Sequence, residues 1–209
     1  MTYKVGVSGP CGDFYDVIPL SNGRTGLVVG DVAGRGVSAV LLMGQLRAGL
    51  RAFASMGMEP HQVLERVNLL LLDLSELWMA MCSYGIFDPR TRSFKFATAG
   101  HQPPMLRGPR AMLDVHPDIG PPLGAVADVR YRSHVVQLPK VFVGVMYTDG
   151  LIETPGLDMS DGFARLRNVL ENSPPNPERV IEHVINHPWL GGTHEDDLVA
   201  LCFGSTLGP

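Results

Sequence analysis

The spacing of apolar positions along the 209-residue chain changes several times, and the changes separate strand runs from helix runs. Residues 3–7 alternate weakly and read as a strand. Residues 14–20 (FYDVIPL) and 25–31 (TGLVVGD) are strand-like. Between them Ser21-Asn22-Gly23-Arg24 is a hairpin turn, because Asn-Gly accepts the positive φ angles that a two-residue connection needs. The period then lengthens. Leu42, Leu46, Leu50 and Phe53 recur at helical spacing within 36–56, and Gly57 is a natural stop. Pro60 stands where a first helical residue belongs, and Val63, Leu64, Val67, Leu70, Leu71 and Leu74 predict a second helix over 60–77. Two such helices in succession predict a hairpin. Strand patterns return at 79–87, 93–99, 103–107, 111–115, 134–138 and 141–147, with Asp88-Pro89-Arg90-Thr91-Arg92 as the turn joining the first two. Helices follow at 160–171 and 177–187, separated by Pro174 and Pro175 and stopped by Pro188. A last strand covers 197–203.

Strand runs and helix runs are segregated, and several strands are joined by short turns. That pattern predicts an α+β domain of antiparallel sheets with helices packed outside, not a doubly wound parallel sheet. No internal repeat or long linker marks a boundary, so one domain over 1–209 is expected. Its abrupt start reads as a piece of a longer multidomain protein.

Composition narrows the function classes. Hydrophobic residues are 45% of the chain and charged residues 18%, ordinary values for a globular protein. The net charge of -4 disfavours a nucleic-acid partner. No apolar run approaches the roughly 18 residues that span a bilayer, so no membrane segment is expected. Cys11, Cys82 and Cys202 are widely spaced and odd in number, which fits neither a zinc motif nor a disulfide framework and suggests a reducing cytoplasm.

The informative residues are aspartates at strand ends. Asp13 lies in Gly-Asp-Phe-Tyr-Asp before a strand, and Asp31 ends the next strand in Gly-Asp-Val-Ala-Gly-Arg-Gly. Asp149 follows VFVGVMYT, while Asp196 and Asp197 begin the last strand. One Asp-Gly step is only a turn signal. Several carboxylates at one sheet rim would repel one another and call for cations. Oxygen ligands suit hard ions such as Mg²⁺ or Mn²⁺, and a pair of them about 3.5–4 Å apart can activate a water toward phosphorus.

The ordered set GDFYD, GDVAGRG before a helix, TAGH, YTDG and EDDLVAL resembles the SpoIIE/RsbU-type serine phosphatases of the metal-dependent protein phosphatase (PPM, 2C-like) superfamily. The resemblance covers about residues 10 to 203. It implies a four-layer α-β-β-α sandwich of two antiparallel sheets flanked by helices, with two Mn²⁺ or Mg²⁺ ions between the sheets. It implies hydrolysis of phosphoserine or phosphothreonine, with an anti-anti-sigma (STAS) protein as the substrate in partner-switching signalling. Carried over by motif, Asp31, Asp149 and Asp196 hold one ion, and Asp13, Asp31 and the Val32 carbonyl hold the other. Asp31 and Asp149 are the catalytic positions in this reading. The helices at 36–77 are expected to serve a homodimer or a regulatory domain.

Two departures from the family pattern stand out. Cys11-Gly12 replaces a double glycine, and Val199 replaces a hydroxyl residue in the terminal motif. They motivate an alternative, a weak or inactive phosphatase-like module that binds a regulatory partner. Other residues compete for the site. Asp16 shares a strand face with Phe14 and Ile18 and competes with Asp13; Asp197 competes with Asp196. His101 is either structural or a proton donor to the leaving alkoxide. Arg35 is either a turn residue or a phosphate contact. His183 and His187 have a zinc-compatible spacing but no third ligand. Met79 and Met81 are expected in the core.

Overall fold

The computed structural model describes residues 12–34, 36–74, 78–153, 158–186 and 198–205, and the backbone of 2–8. The strands are β1 (Thr2–Ser8), β2 (Phe14–Pro19), β3 (Thr25–Val32), β4 (Ala80–Asp88), β5 (Ser93–Ala99), β6 (Met105–Arg107), β7 (His134–Gln137), β8 (Phe142–Tyr147) and β9 (Leu198–Ser205). The helices are α1 (Val37–Ser55), α2 (Pro60–Leu74), α3 (Met159–Asn172) and α4 (Pro177–Ile185). The fold class is α+β with two antiparallel sheets, as the segregation of strand and helix patterns predicts. The chain divides into two compact units.

One unit comprises Pro10–Pro103 and His116–Gln137. Its sheet has the order β2-β3-β4-β5-β7, with every pairing antiparallel. The first hairpin forms where Asn-Gly predicts it, with φ of 62° at Asn22 and 71° at Gly23. Leu42, Leu46 and Leu50 of α1 and Val63, Leu64, Val67 and Leu71 of α2 are buried in one cluster with Phe14, Ile18, Val28 and Tyr84 of the sheet. The helical hairpin therefore covers one sheet face.

The other unit comprises Met1–Gly9, Pro104–Val115 and Leu138–Pro209. Its sheet runs β1-β9-β8-β6. Val143, Val145, Tyr147, Ala200 and Cys202 pack with Leu166, Leu170, Val180 and Val184 of α3 and α4. Asp158 caps α3 by accepting from Ser160 N–H at 3.0 Å. Asn176 caps α4 by accepting from Glu178 N–H at 2.8 Å, and Pro177 pre-sets the first turn.

Residues on the second face of each sheet, such as Leu27, Val29, Phe94 and Phe96 in one and Leu201 and Phe203 in the other, are buried too. Strands covered on both faces read as continuous apolar runs, which is why 141–147 and 197–203 lack strict alternation. The pattern at 111–115 misleads. Gly108 N–H donates to the Ala111 carbonyl (2.9 Å) and Leu113 N–H to Leu106 (2.8 Å), closing a turn that leaves one bridge, Arg107 to Met112, and no strand. Met79 is 48% exposed, not core, because it precedes the first paired residue of β4. No helix among the described residues is long and apolar enough to cross a membrane.

Candidate metal centre

The β2–β3 pairing sets Phe14 opposite Gly30 and continues outward past the strand end. One further step sets Asp13 opposite Asp31, and the next sets Gly12 opposite Val32. The bond from Val32 N–H to the Gly12 carbonyl (3.2 Å) shows that the chains still pair there. Two acidic residues thus face each other across a sheet end, an arrangement that destabilises a strand pair unless something neutralises it.

Gly12 sits tightly in this corner. A Cβ on it would lie 2.3 Å from the Val32 carbonyl oxygen and 2.7 Å from Asp31 Oδ1. Two oxygens from consecutive residues therefore crowd the same point, and only a residue without a side chain fits beside them. Asp13 Oδ2 is buried. An aspartate carboxylate oxygen and a peptide carbonyl oxygen beside one point, with Asp13 opposite in register, are hard oxygen donors of the kind that suits Mg²⁺ or Mn²⁺ and not a soft metal. Of the expected ligands, Asp31 and Val32 are brought together here, and Asp13 stands opposite Asp31 in register.

Asp149 stands at the end of β8 in the other unit. Its Oδ1 accepts from Gly150 N–H at 2.9 Å, which holds the carboxylate against its own turn. The preceding Thr148 is fully buried and clamps β8 to the start of β9. Its N–H donates to the Val199 carbonyl (3.0 Å), and its Oγ1 accepts from Val199 N–H (2.9 Å). The hydroxyl absent from Val199 thus has a counterpart on the facing strand. Residue 199 is joined to the Thr-Asp-Gly turn through its backbone. Asp196, Asp197 and Arg35 lie outside the described residues. Among the described residues, no group of three or more His, Cys, Asp or Glu is placed to hold a metal ion.

The rival candidates have other work. Asp16 is buried beside Phe14 and Ile18, on the face the alternation predicts. It accepts from Arg51 Nε (2.5 Å) and Nη2 of α1, and from Val17 N–H (2.9 Å). The carboxylate holds Arg51 protonated more firmly than an ordinary guanidinium, first through the hydrogen bond and then through charge. Asp16 therefore ties β2 to α1. His101 is buried, and its Nδ1–H donates to the Gln102 carbonyl at 3.0 Å. His183 Nδ1 is engaged with Ser173 Oγ at 2.8 Å, and His187 lies outside the described residues. Burial pushes the Cys82 thiol up to about 12 and the Cys202 thiol further still, so both remain protonated.

Gly12 and Thr148 escaped the sequence reading. Gly12 looked like half of a degraded double glycine, and Thr148 like part of a turn. A threonine ending a run of seven apolar-patterned residues was the available signal for a buried hydroxyl with a partner.

Comparison with known proteins agrees with this architecture. The family model "Stage II sporulation protein E (SpoIIE)" matches residues 21–205. The phosphoserine phosphatase RsbU of Bacillus subtilis is 25% identical over 145 residues, covering 68% of this chain and 43% of RsbU. A solved structure of the RsbU and RsbW domains of a Mycobacterium tuberculosis protein superposes with a TM-score of 0.82 at 27% identity, covering 99% of this chain and 62% of that one. RsbX, solved in complex with magnesium, superposes with a TM-score of 0.75 at 17% identity, covering 98% of this chain and 96% of RsbX. The chain spans less than half the length of RsbU. With the family model matched over most of its length and the fold shared with these structures, the chain belongs to the SpoIIE family.

Proposed function

We propose that the chain is a metal-dependent protein serine/threonine phosphatase. The observation that carries the reading is the Gly12 corner, where Asp31 Oδ1 and the Val32 carbonyl oxygen crowd one point and Asp13 stands opposite Asp31 in register. The proposed ligands are Asp31, Asp149 and Asp196 for one ion, and Asp13, Asp31 and the Val32 carbonyl for the other. When bound, Mn²⁺ or Mg²⁺ supplies an activated water and positive charge for the phosphate. The protein's own contribution is positional. Gly12 leaves room for the donor oxygens, the β2–β3 pairing fixes Asp13 against Asp31, and Thr148 fixes the Asp149 turn against β9. The two units work, in this reading, as one phosphatase domain over 1–209.

The proposed substrate is a phosphorylated STAS-type anti-anti-sigma protein in the cytoplasm, as the family resemblance implies; the phosphoserine phosphatase RsbU and the presence of RsbU and RsbW domains in one mycobacterial protein support a regulatory phosphoprotein as the substrate class. Val37, Val40 and Leu41 are exposed on the first turns of α1, which supports self-association through the helices at 36–77. Hydrolysis of an aryl phosphate with added Mn²⁺ tests the activity. The intact chain is expected to turn over and Asp31→Ala to lose at least about 100-fold, comparable to removing one key electrostatic group from other active sites. Equal background rates in both would leave the binding module as the better reading.

A further inference from the structure

The loop after Val32 carries two glycines, Gly34 and Gly36. Gly34 adopts φ of +120°, and a Cβ there would lie 2.9 Å from Trp78 Cζ3 and 3.5 Å from Cη2. The indole of Trp78 therefore rests directly on the Gly34 backbone. The two segments are joined beside this contact as well, since Ala33 N–H donates to the Met79 carbonyl at 3.0 Å.

Trp78 is itself fixed from behind. Ala80 and Leu123 exchange backbone hydrogen bonds of 3.1 and 2.8 Å. The next residue, Gly124, donates its N–H to Asn68 Oδ1 at 2.8 Å, while Asn68 Nδ2 donates to the Val126 carbonyl at 2.9 Å. Asn68 is fully buried on α2, with both ends of its amide in use. A Cβ on Gly124 would lie 2.3 Å from the Trp78 carbonyl oxygen, so a line of contacts runs from α2 through Gly124 and Trp78 to Gly34, three residues from Asp31.

We propose that Trp78 is a positioning residue for the Asp31–Val32 metal ligands, acting through its ring contact with Gly34. The proposal rests on the reading of Asp31 and Val32 as ligands. Physically, a carboxylate and a carbonyl on the last two residues of β3 bind a cation well only if the strand end and the glycine-bearing loop that leaves it are held before the cation arrives; otherwise ordering them costs affinity. The indole supplies that restraint without touching the donor oxygens.

Two measurements on the full chain test it, with Mn²⁺ alone as the probe. In metal-free protein, amide hydrogen exchange at Ala33 is expected to quicken at least about tenfold in Trp78→Ala while that of Val29, in the core of β3, holds. In Mn²⁺ titrations followed calorimetrically, Trp78→Ala is expected to bind about 10- to 100-fold more weakly, the range seen when groups behind metal ligands are removed, with Trp78→Phe in between. Gly34→Ala pushes on the same contact from the other side. Its loss of affinity and that of Trp78→Ala are expected to combine less than additively, because removing the ring removes the clash. If Trp78→Ala fails to fold, Trp78→Phe and Gly34→Ala carry the same comparison. Unchanged exchange at Ala33, unchanged Mn²⁺ affinity, or fully additive losses each overturn the proposal. Absence of Mn²⁺ binding by the unsubstituted chain instead sinks the metal-centre reading, and the exchange result still decides whether the ring restrains the loop.

Discussion

A methyl group at position 12 would press on the Val32 carbonyl oxygen and on the Asp31 carboxylate together. Gly12→Ala is therefore expected to destabilise the protein by about 1–3 kcal/mol, the usual cost of overpacking, and to weaken Mn²⁺ binding with it. Urea unfolding and Mn²⁺ titration measure the two effects; a folded variant with unchanged affinity would detach Gly12 from the site. Asp16 makes the contrasting case. Asp16→Asn is expected to cost about 1–3 kcal/mol of stability, toward the lower end because Arg51 is half exposed and screened by solvent, and to leave the rate of aryl phosphate hydrolysis unaltered. A folded Asp16→Asn protein without activity would put Asp16 back among the candidate ligands. Asp13 and Asp16 lie three residues apart in one motif. Strand alternation already placed Asp16 on the Phe14 face, but its partner Arg51 sits 35 positions away, beyond the reach of any local pattern.

Between elements, the connection worth testing is that of β8 with β9. Thr148 uses both its backbone and its hydroxyl on Val199. Thr148→Val keeps the volume but strands a buried N–H, so about 1–3 kcal/mol of stability is expected to go, with a fall in phosphatase activity as the Asp149 turn loosens. Thr148→Ser restores the acceptor and is expected to recover most of both. Full activity in Thr148→Val would show that the turn holds Asp149 unaided. The helices were readable because each carries its own punctuation: Gly57 after α1, Pro60 at the start of α2, Asn176-Pro177 at the start of α4. The segment 111–115 was not, since an apolar run beside a turn satisfies a strand template whether or not a partner strand has room to extend.

Among the described residues, the thiols of Cys82 and Cys202 and the phenols of Tyr84, Tyr131 and Tyr147 are buried. Burial is the leading cause in each case and raises every one above its ordinary value. The folded protein therefore keeps protons that the unfolded chain releases. The stabilisation from these groups is complete below the ordinary thiol value of about 9 and drains away as pH rises through that value and the tyrosine value of about 10. Unfolding free energy is expected to fall by about 4 kcal/mol between pH 8 and pH 10, most of it from the two thiols, measured with urea at each pH. A flat profile over that window would mean that the five groups ionise in the folded state too. Over the same range below pH 9, both thiols are expected to resist alkylation until the protein unfolds.

The amino-acid sequence by itself determined the element order, the antiparallel α+β class, the first hairpin and the aspartates worth following, because periodicity, turn chemistry and capping act over a few neighbouring residues. Only the tertiary structure decided that Asp16 serves Arg51, that Gly12 must be bare to admit two oxygens, that Thr148 braces Val199, and that an indole lies on Gly34. Each of these depends on atoms brought together by strand register and packing between segments remote in the chain, and a one-dimensional pattern carries no record of those distances.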